Sequence, residues 1–163
     1  MQGTLVIPSS FAASMPSPFP PARAHEARFT LDPTTFEYRP TERAKFASID
    51  AAKSIEDLGE RARTLVFGKD RAGQFLWKTT CETLVYSANR IPEIADDVLQ
   101  VDRAIRWGFN WEMGPFEMWD ALGVRRVVDR MREDDVTVPP KVERMLELGA
   151  ERFYVREGGR TSY

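Results

Sequence analysis

Seven of the eleven prolines lie within residues 1–40: Pro8, Pro16, Pro18, Pro20, Pro21, Pro33 and Pro40. Each fixes φ and removes a backbone N–H, so neither a long helix nor a central strand can run through this stretch. It is expected to be extended or disordered. The other four prolines (Pro92, Pro115, Pro139 and Pro140) each sit where a helix is expected to begin, the position that tolerates a missing N–H. The chain therefore reads as a Pro-rich segment, 1–40, followed by a helical domain, 41–163. The opening residues include Leu5, Val6, Ile7 and Phe11 but lack a positively charged leader, so no secretory signal is expected.

Beyond residue 40 the apolar residues recur at helical spacing. Ser54 is a candidate N-cap, with Glu56 and Asp57 behind it, Ile55, Leu58, Ala62, Leu65 and Val66 inward, and Gly68 as the stop. Asp70 can cap a helix over 71–90 whose broad face holds Ala72, Phe75, Leu76, Leu84, Val85 and Ala88, widened by Trp77 and Cys81. A third helix is expected from Pro92, with Ile91, Ile94, Val98, Val101 and Ile105 as its stripe and Gly108 as its end. Gly114-Pro115 opens a short helix carrying Phe116, Trp119 and Leu122 and ending at Gly123. Val124, Val127, Val128 and Met131 mark a fifth, and Pro139-Pro140 starts a sixth with Val142, Met145 and Leu146 inward and Gly149 closing it. Phe153 to Val155 followed by Gly158-Gly159 reads as a small hairpin. The expected fold class is all-α, a bundle of about six helices.

Composition narrows the function classes. With 23 basic and 25 acidic side chains the net charge is −2, which argues against a nucleic-acid or anionic-membrane footprint. One cysteine excludes an internal disulfide and suits a reducing cytoplasm, and one Cys with one His makes a conventional zinc site untenable. No apolar run reaches the ~20 residues that span a bilayer.

No segment assembles a recognised catalytic constellation. There is no G-x-G-x-x-G after a strand, no Walker-type phosphate loop and no G-x-S-x-G. Gly108 to Glu117 packs glycines, a proline and aromatics into one corner, read as a tight turn with core aromatics rather than as a pocket wall. Glu93, Asp96, Asp97 and Asp102 are read as a solvated helix start rather than a metal or acid–base set, and Trp107, Trp111 and Trp119 as core rather than ligand-stacking. Arg125, Arg126, Arg130 and Arg132 are interleaved with Asp129, Glu133 and Asp134, so a solvated face is favoured over a phosphate site. Cys81 is read as an inert buried thiol, and His25, among the prolines, as a poor catalytic base. No catalytic, cofactor-binding or metal-ligating residue is assigned.

One stretch resembles a known family. Val101 to Phe109, containing Asp102-Arg103-Ala104 and Gly108, followed by Gly114-Pro115-Phe116-Glu117, Asp120 and Gly123, is similar to the C-terminal helical domain of 3-hydroxyacyl-CoA dehydrogenases. Ala88 to Ala95 resembles the second helical repeat of large bacterial members, in which a duplicated helical unit follows the dinucleotide-binding domain and an enoyl-CoA hydratase domain comes after it. Glu37-Tyr38-Arg39-Pro40 and Gly158 to Tyr163 resemble the joints flanking that repeat. The likeness extends over about residues 29–163 and leaves Met1 to Arg28 unmatched.

The resemblance implies a chain that is part of a longer NAD-dependent enzyme of fatty-acid β-oxidation. NAD and the catalytic His–Glu pair then belong to the dinucleotide-binding domain. The implied partners are that domain, the first helical repeat, and acyl-CoA at the cleft. The family's helical domain contributes an Asn, but here Gly73 or Trp77 takes its place, and neither offers a side-chain amide. Asp102, Gly108, Gly114, Pro115, Phe116, Glu117, Asp120 and Gly123 are thus expected to be structural. The competing expectations are a stand-alone helical interaction module and, less favoured, a small acyl-CoA-binding domain.

Overall fold

The computed structural model describes residues 29–41, 44–157 and 160–163. The chain divides into two units between Ala44 and Lys45. In the first, β1 (Phe29–Leu31) and β2 (Tyr38–Pro40) pair antiparallel, with Thr30 opposite Arg39. Asp32 closes the hairpin by accepting from the Thr34 N–H at 2.9 Å, a side-chain turn of the kind that short acids favour. The extended part of the Pro-rich segment that can be described is therefore a hairpin, and the reading of residues 1–28 falls outside the described residues.

The second unit holds seven helices among the described residues. The one not anticipated is α1 (Ala47–Ala52), a six-residue helix with no side-chain cap of its own. Its hold is remote: Ser48 donates through both N–H and Oγ to the Asp70 carboxylate, each at 2.8 Å. Asp70 also accepts from the Gly73 N–H at 2.9 Å and so caps α3 (Arg71–Asn89), as its position suggests. Helix α2 (Leu58–Val66) starts later than Ser54, because Asp57 takes the cap by accepting from the Glu60 N–H at 2.7 Å.

Two expected helix limits shift. Helix α4 (Val98–Phe109) begins not at Pro92 but after Asp97, whose carboxylate accepts from the Gln100 N–H at 2.9 Å. Residues 91–94 form a turn before it, and Ile94 is exposed rather than part of a core stripe. At the other end the helix runs through Gly108 and stops at Asn110, in the left-handed region at φ 55°. Asn is the residue besides glycine that adopts this conformation most readily.

The remaining helices start and stop where punctuation places them: α5 (Pro115–Leu122), α6 (Val124–Glu133) and α7 (Pro140–Glu147). Gly123, at φ 90°, is the sole residue between α5 and α6, a conformation a Cβ would strain. At the end of the chain β3 (Val155–Glu157) and β4 (Arg160–Ser162) pair antiparallel.

The core is built from α3, α5 and α6, with Leu84, Phe116, Trp119, Leu122, Val127, Val128 and Met131 all buried. Helix α2 packs on both α3 and α5. On α3 the buried stripe is Gly73, Trp77, Cys81, Leu84 and Ala88, stepping by four, four, three and four. That turns Phe75 outward, 66% exposed, against the expectation that it faces in. The rotation follows from Gly73: a Cβ there would collide with the Gly68 backbone, so this side of α3 lies against the end of α2.

Phe116 is 1% exposed and meets the Phe153 ring edge-on at 4.9 Å between centroids. Removing a fully buried Phe typically costs ~3–5 kcal/mol, a large share of a total near ~5–15 kcal/mol. Phe116→Ala is therefore expected to lose its cooperative urea transition or to shift it far toward zero denaturant. A midpoint equal to wild type would show that this ring is not a core anchor.

Candidate functional site

The corner between α4 and α5, with the α5 helix it opens, gathers six of the eight motif residues: Asp102, Gly114, Pro115, Phe116, Glu117 and Asp120. An eight-residue helix starting at a glycine has no N-cap side chain to satisfy its first donors. Here the donors are accounted for one by one. The Gly114 N–H donates to Glu117 Oε2 at 2.9 Å, and Pro115 has no N–H. The Phe116 and Glu117 N–H groups donate to Asp102 Oδ1 and Oδ2 at 2.8 and 2.9 Å. Asp102, fourteen residues upstream on α4, thus acts as the cap of α5. Gly114 is required by this approach, since a Cβ on it would overlap the Asp102 side chain.

A second carboxylate extends the corner. Asp120, on α5, accepts from the Phe153 and Tyr154 N–H groups at 2.8 and 2.9 Å. Tyr154 then donates its hydroxyl to Asp102 Oδ2 at 2.8 Å, which ties the segment before β3 to both helices. Arg106 of α4 pairs with Glu117 at 3.0 Å on the outside of the corner. Gly123 ends α5, whereas Gly108 is exposed with no neighbour near its missing Cβ and takes no part. Tyr154 was not singled out from the sequence. The signal for its partner was legible, because Asp102 stands four residues after Val98 and three before Ile105, on the apolar stripe of its own helix.

Burial pushes both acids above the usual carboxylate range, against the lowering effect of the N–H bonds they accept. For Asp102 the neighbouring Tyr154 hydroxyl also lowers and the Glu117 charge raises. Tyr154 is itself pushed up, by burial first and by Asp102 second. This is a coupled set of buried acceptors and donors. It presents no unpaired nucleophile and no free base aimed at a cavity, so its chemistry is that of a fastener.

The other sequence candidates scatter. Of the three tryptophans expected in the core, Trp119 is buried, while Trp107 is 79% exposed and Trp111 is half-exposed. The burial expected of these two is corrected: α4 buries Asp102, and the end of the helix at Asn110 leaves Trp107, Phe109 and Trp111 in solvent. Asp97 caps α4, and no group of three or more His, Cys, Asp or Glu among the described residues is arranged to hold a metal. Burial pushes the Cys81 thiol up, which suppresses the thiolate. The arginines of α6 are not simply solvated: Arg126 lies over Phe67 with its guanidinium carbon 3.7 Å from the ring centre, and Arg130 lies over Trp77 at 4.2 Å. No helix among the described residues is long and apolar enough to cross a membrane.

The two positions that the resemblance aligns with the family's Asn, Gly73 and Trp77, are both used in packing. Gly73 presses on the Gly68 backbone, and the Trp77 Nε1–H donates to Asp134 at 2.5 Å. Nor do the described residues supply a strand, glycine-rich turn and helix that would suit a dinucleotide, since their strands form two antiparallel hairpins.

The fold and corner together define a helical module built around a buried carboxylate fastener. Its sequence is 39% identical over 135 residues, 83% of this chain, to a protein of Bacillus subtilis named as a 3-hydroxyacyl-CoA dehydrogenase. A second match, to a protein of Rickettsia felis named as a fatty acid oxidation complex trifunctional enzyme, is 33% identical over 46 residues, 28% of this chain. The chain belongs to the 3-hydroxyacyl-CoA dehydrogenase family. It spans 17% of the length of the first relative and 6% of the second. No family model matches the chain, and no solved structure matches it.

Asp102→Asn tests the fastener. An amide can accept with only one of its two terminal atoms, so one backbone N–H of α5 is left facing a donor. The expected loss is about 1–3 kcal/mol in urea denaturation at pH 7. The pH dependence has a defined sign. Because the folded pKa values of Asp102 and Asp120 are raised, the folded chain holds protons that the unfolded chain releases above the ordinary 3.8. Their contribution therefore falls as pH rises through that window and is flat above it. The gap between wild type and Asp102→Asn should widen as pH is lowered from 7 toward 4.5. A gap that narrows would contradict the raised pKa.

Proposed function

We propose that this chain is a helical support module of an NAD-dependent 3-hydroxyacyl-CoA dehydrogenase of fatty-acid β-oxidation. It packs against the rest of that enzyme rather than supplying the catalytic centre. In this reading Asp102, Gly114, Pro115, Phe116, Glu117, Asp120 and Gly123 are architectural. NAD and the acid–base groups belong to a dinucleotide-binding domain, the first helical repeat is the direct neighbour, acyl-CoA occupies a cleft that the module helps to shape, and the whole works in the cytoplasm. The observation that carries the reading is that the carboxylates of the motif corner, Asp102, Glu117 and Asp120, are all spent on donors of the same unit. The match to a relative several times longer supports it.

The aromatics left in water at the end of α4 suit a docking role. Trp107 and Phe109 are 79% and 70% exposed, and large rings in solvent at one helix end mark a surface that gains by being covered. The same rings would serve a stand-alone interaction module, so the partner decides between the two readings.

The test is complementation. The chain alone is expected to give no acetoacetyl-CoA-dependent oxidation of NADH above the blank. Mixed with the Bacillus subtilis relative lacking its matched segment, it is expected to bind and to raise that activity. A Trp107→Ser, Phe109→Ser variant should keep the wild-type thermal midpoint and lose the binding. Turnover by the chain alone would overturn the support role. Absence of binding by the wild type would favour the stand-alone module.

A further inference from the structure

A cleft of about 870 Å³ opens between the end of α2, the first turn of α3 and the outer face of α6. The volume is in the ~300–1,000 Å³ range of small-molecule sites. Its cations are Lys69, Arg125, Arg126 and Arg130, and its acids are Asp129 and Glu133. The local balance is thus positive, four against two, in a chain whose net charge is −2.

The arrangement of these charges matters more than their number. The Arg126 guanidinium carbon lies over Phe67, 3.7 Å from the ring centre, and that of Arg130 lies over Trp77 at 4.2 Å. A guanidinium laid flat on a ring keeps its N–H edge free for in-plane recognition, and its rotamer freedom is already restricted. Among the described residues Arg126 has no acid partner and no hydrogen-bond acceptor for that edge, and neither has the Lys69 ammonium. Of the two acids, Asp129 is paired with Arg132 at 3.6 Å and Glu133 has no cation partner among the described residues, while Arg130 is paired with Asp134 at 3.7 Å. Arg125 reaches away to Glu151 at 2.9 Å. A guanidinium held over a ring, with Lys69 and Gln74 lining the same cleft, matches a dianion with several acceptor oxygens.

We propose that this cleft binds a phosphate-bearing small molecule, with Arg126 and Lys69 gripping the phosphate and the remaining volume holding the organic body. The site lies wholly within the helical unit and does not depend on the dehydrogenase reading. The shared chemistry is an oxyanion, and phosphate is assigned over carboxylate because the lining offers two cations of different geometry, a planar fork and a point charge, neither with an acid partner among the described residues.

The experiment uses the full chain and pyrophosphate as the probe, titrated at low ionic strength by calorimetry, with citrate as the carboxylate arm. Wild type is expected to saturate at one site, more tightly with pyrophosphate than with citrate, and to weaken as salt rises. Arg126→Gln and Lys69→Gln should each weaken binding about tenfold, as expected for loss of one charge-assisted contact. Arg126→Lys should fall between, having the charge without the fork. Arg144→Gln, on α7 and outside the cleft, should bind as wild type. Circular dichroism melts identify any variant that fails to fold, and Lys69→Gln, whose side chain is exposed, keeps the test decisive if Arg126→Gln does not fold. No saturable pyrophosphate binding, or Arg126→Gln and Lys69→Gln indistinguishable from Arg144→Gln, would overturn the site. Tighter binding of citrate would overturn the phosphate assignment.

Discussion

The rest of the helical unit depends on a buried carboxylate standing in for a helix cap. Helix α5 has eight residues, too few to be stable alone in water, and it begins at a glycine that has no side chain to cap it. Asp102 supplies both acceptors from another helix, at 2.8 and 2.9 Å. A buried negative charge without a cation costs several kcal/mol unless it is fully hydrogen-bonded. Here two N–H groups and the Tyr154 hydroxyl serve that purpose. The charge therefore fixes three segments at once. Helix α4 cannot slide along α5 without unpairing the N–H groups, and the stretch before β3 cannot lift without leaving Asp102 short of a donor. Asp120 repeats the device at lower stakes, binding the backbone of the same stretch. Around this fastener the aromatic cluster of Phe116, Trp119 and Phe153 closes the core.

Much of this was legible in residues that act locally. Asp70 caps α3, Pro115 and Pro140 open α5 and α7, and Gly123 and Gly149 follow helices as single-residue stops. Such signals are read from a few neighbouring positions, and nothing distant overrides them. The corner's spacing was visible in the same way, as the family motif. What was not legible depends on contacts far apart in sequence. Helix α1 has no cap of its own and is held by Asp70, 22 residues on, so its six residues carry too little periodicity to announce it. Phe75 was placed inside by counting apolar residues, but the close approach of Gly73 to Gly68 chose the other side of α3. A proline can open a helix or precede one by a turn, and Asp97 decided the case at Pro92.

The tryptophans show a different failure. A large ring is buried in most folds, and spacing alone gave Trp107, Trp111 and Trp119 the same status. Only Trp119 sits on the face of a helix that has neighbours on that side. Helix α4 turns its single buried residue, a carboxylate, toward α5 and leaves its apolar residues half-covered or exposed. Of the expected stripe, Ile91, Val98 and Val101 pack half-buried against the core, while the end of the helix at Trp107 and Phe109 is left in solvent. The pattern stated that the stripe would be covered but carried no statement of what covers it. That is the physical content of the proposed docking role for the end of α4.

The two positions that the resemblance aligns with the family's Asn follow the same logic, since both are packing positions here. If the Asn position falls on Gly73, any side chain there would overlap the Gly68 backbone and push α3 off the end of α2. If it falls on Trp77, an amide would vacate a large buried ring, abandon the bond to Asp134 and remove the surface on which Arg130 lies. Either way the residue now present serves packing that the amide cannot serve, and a single substitution back would cost stability. The core therefore accounts for both residues without invoking chemistry, which is consistent with the proposed support role. Gly73 and Trp77 are thus among the residues that hold α2, α3 and the end of α6 together, and any other demand on those positions competes with that packing.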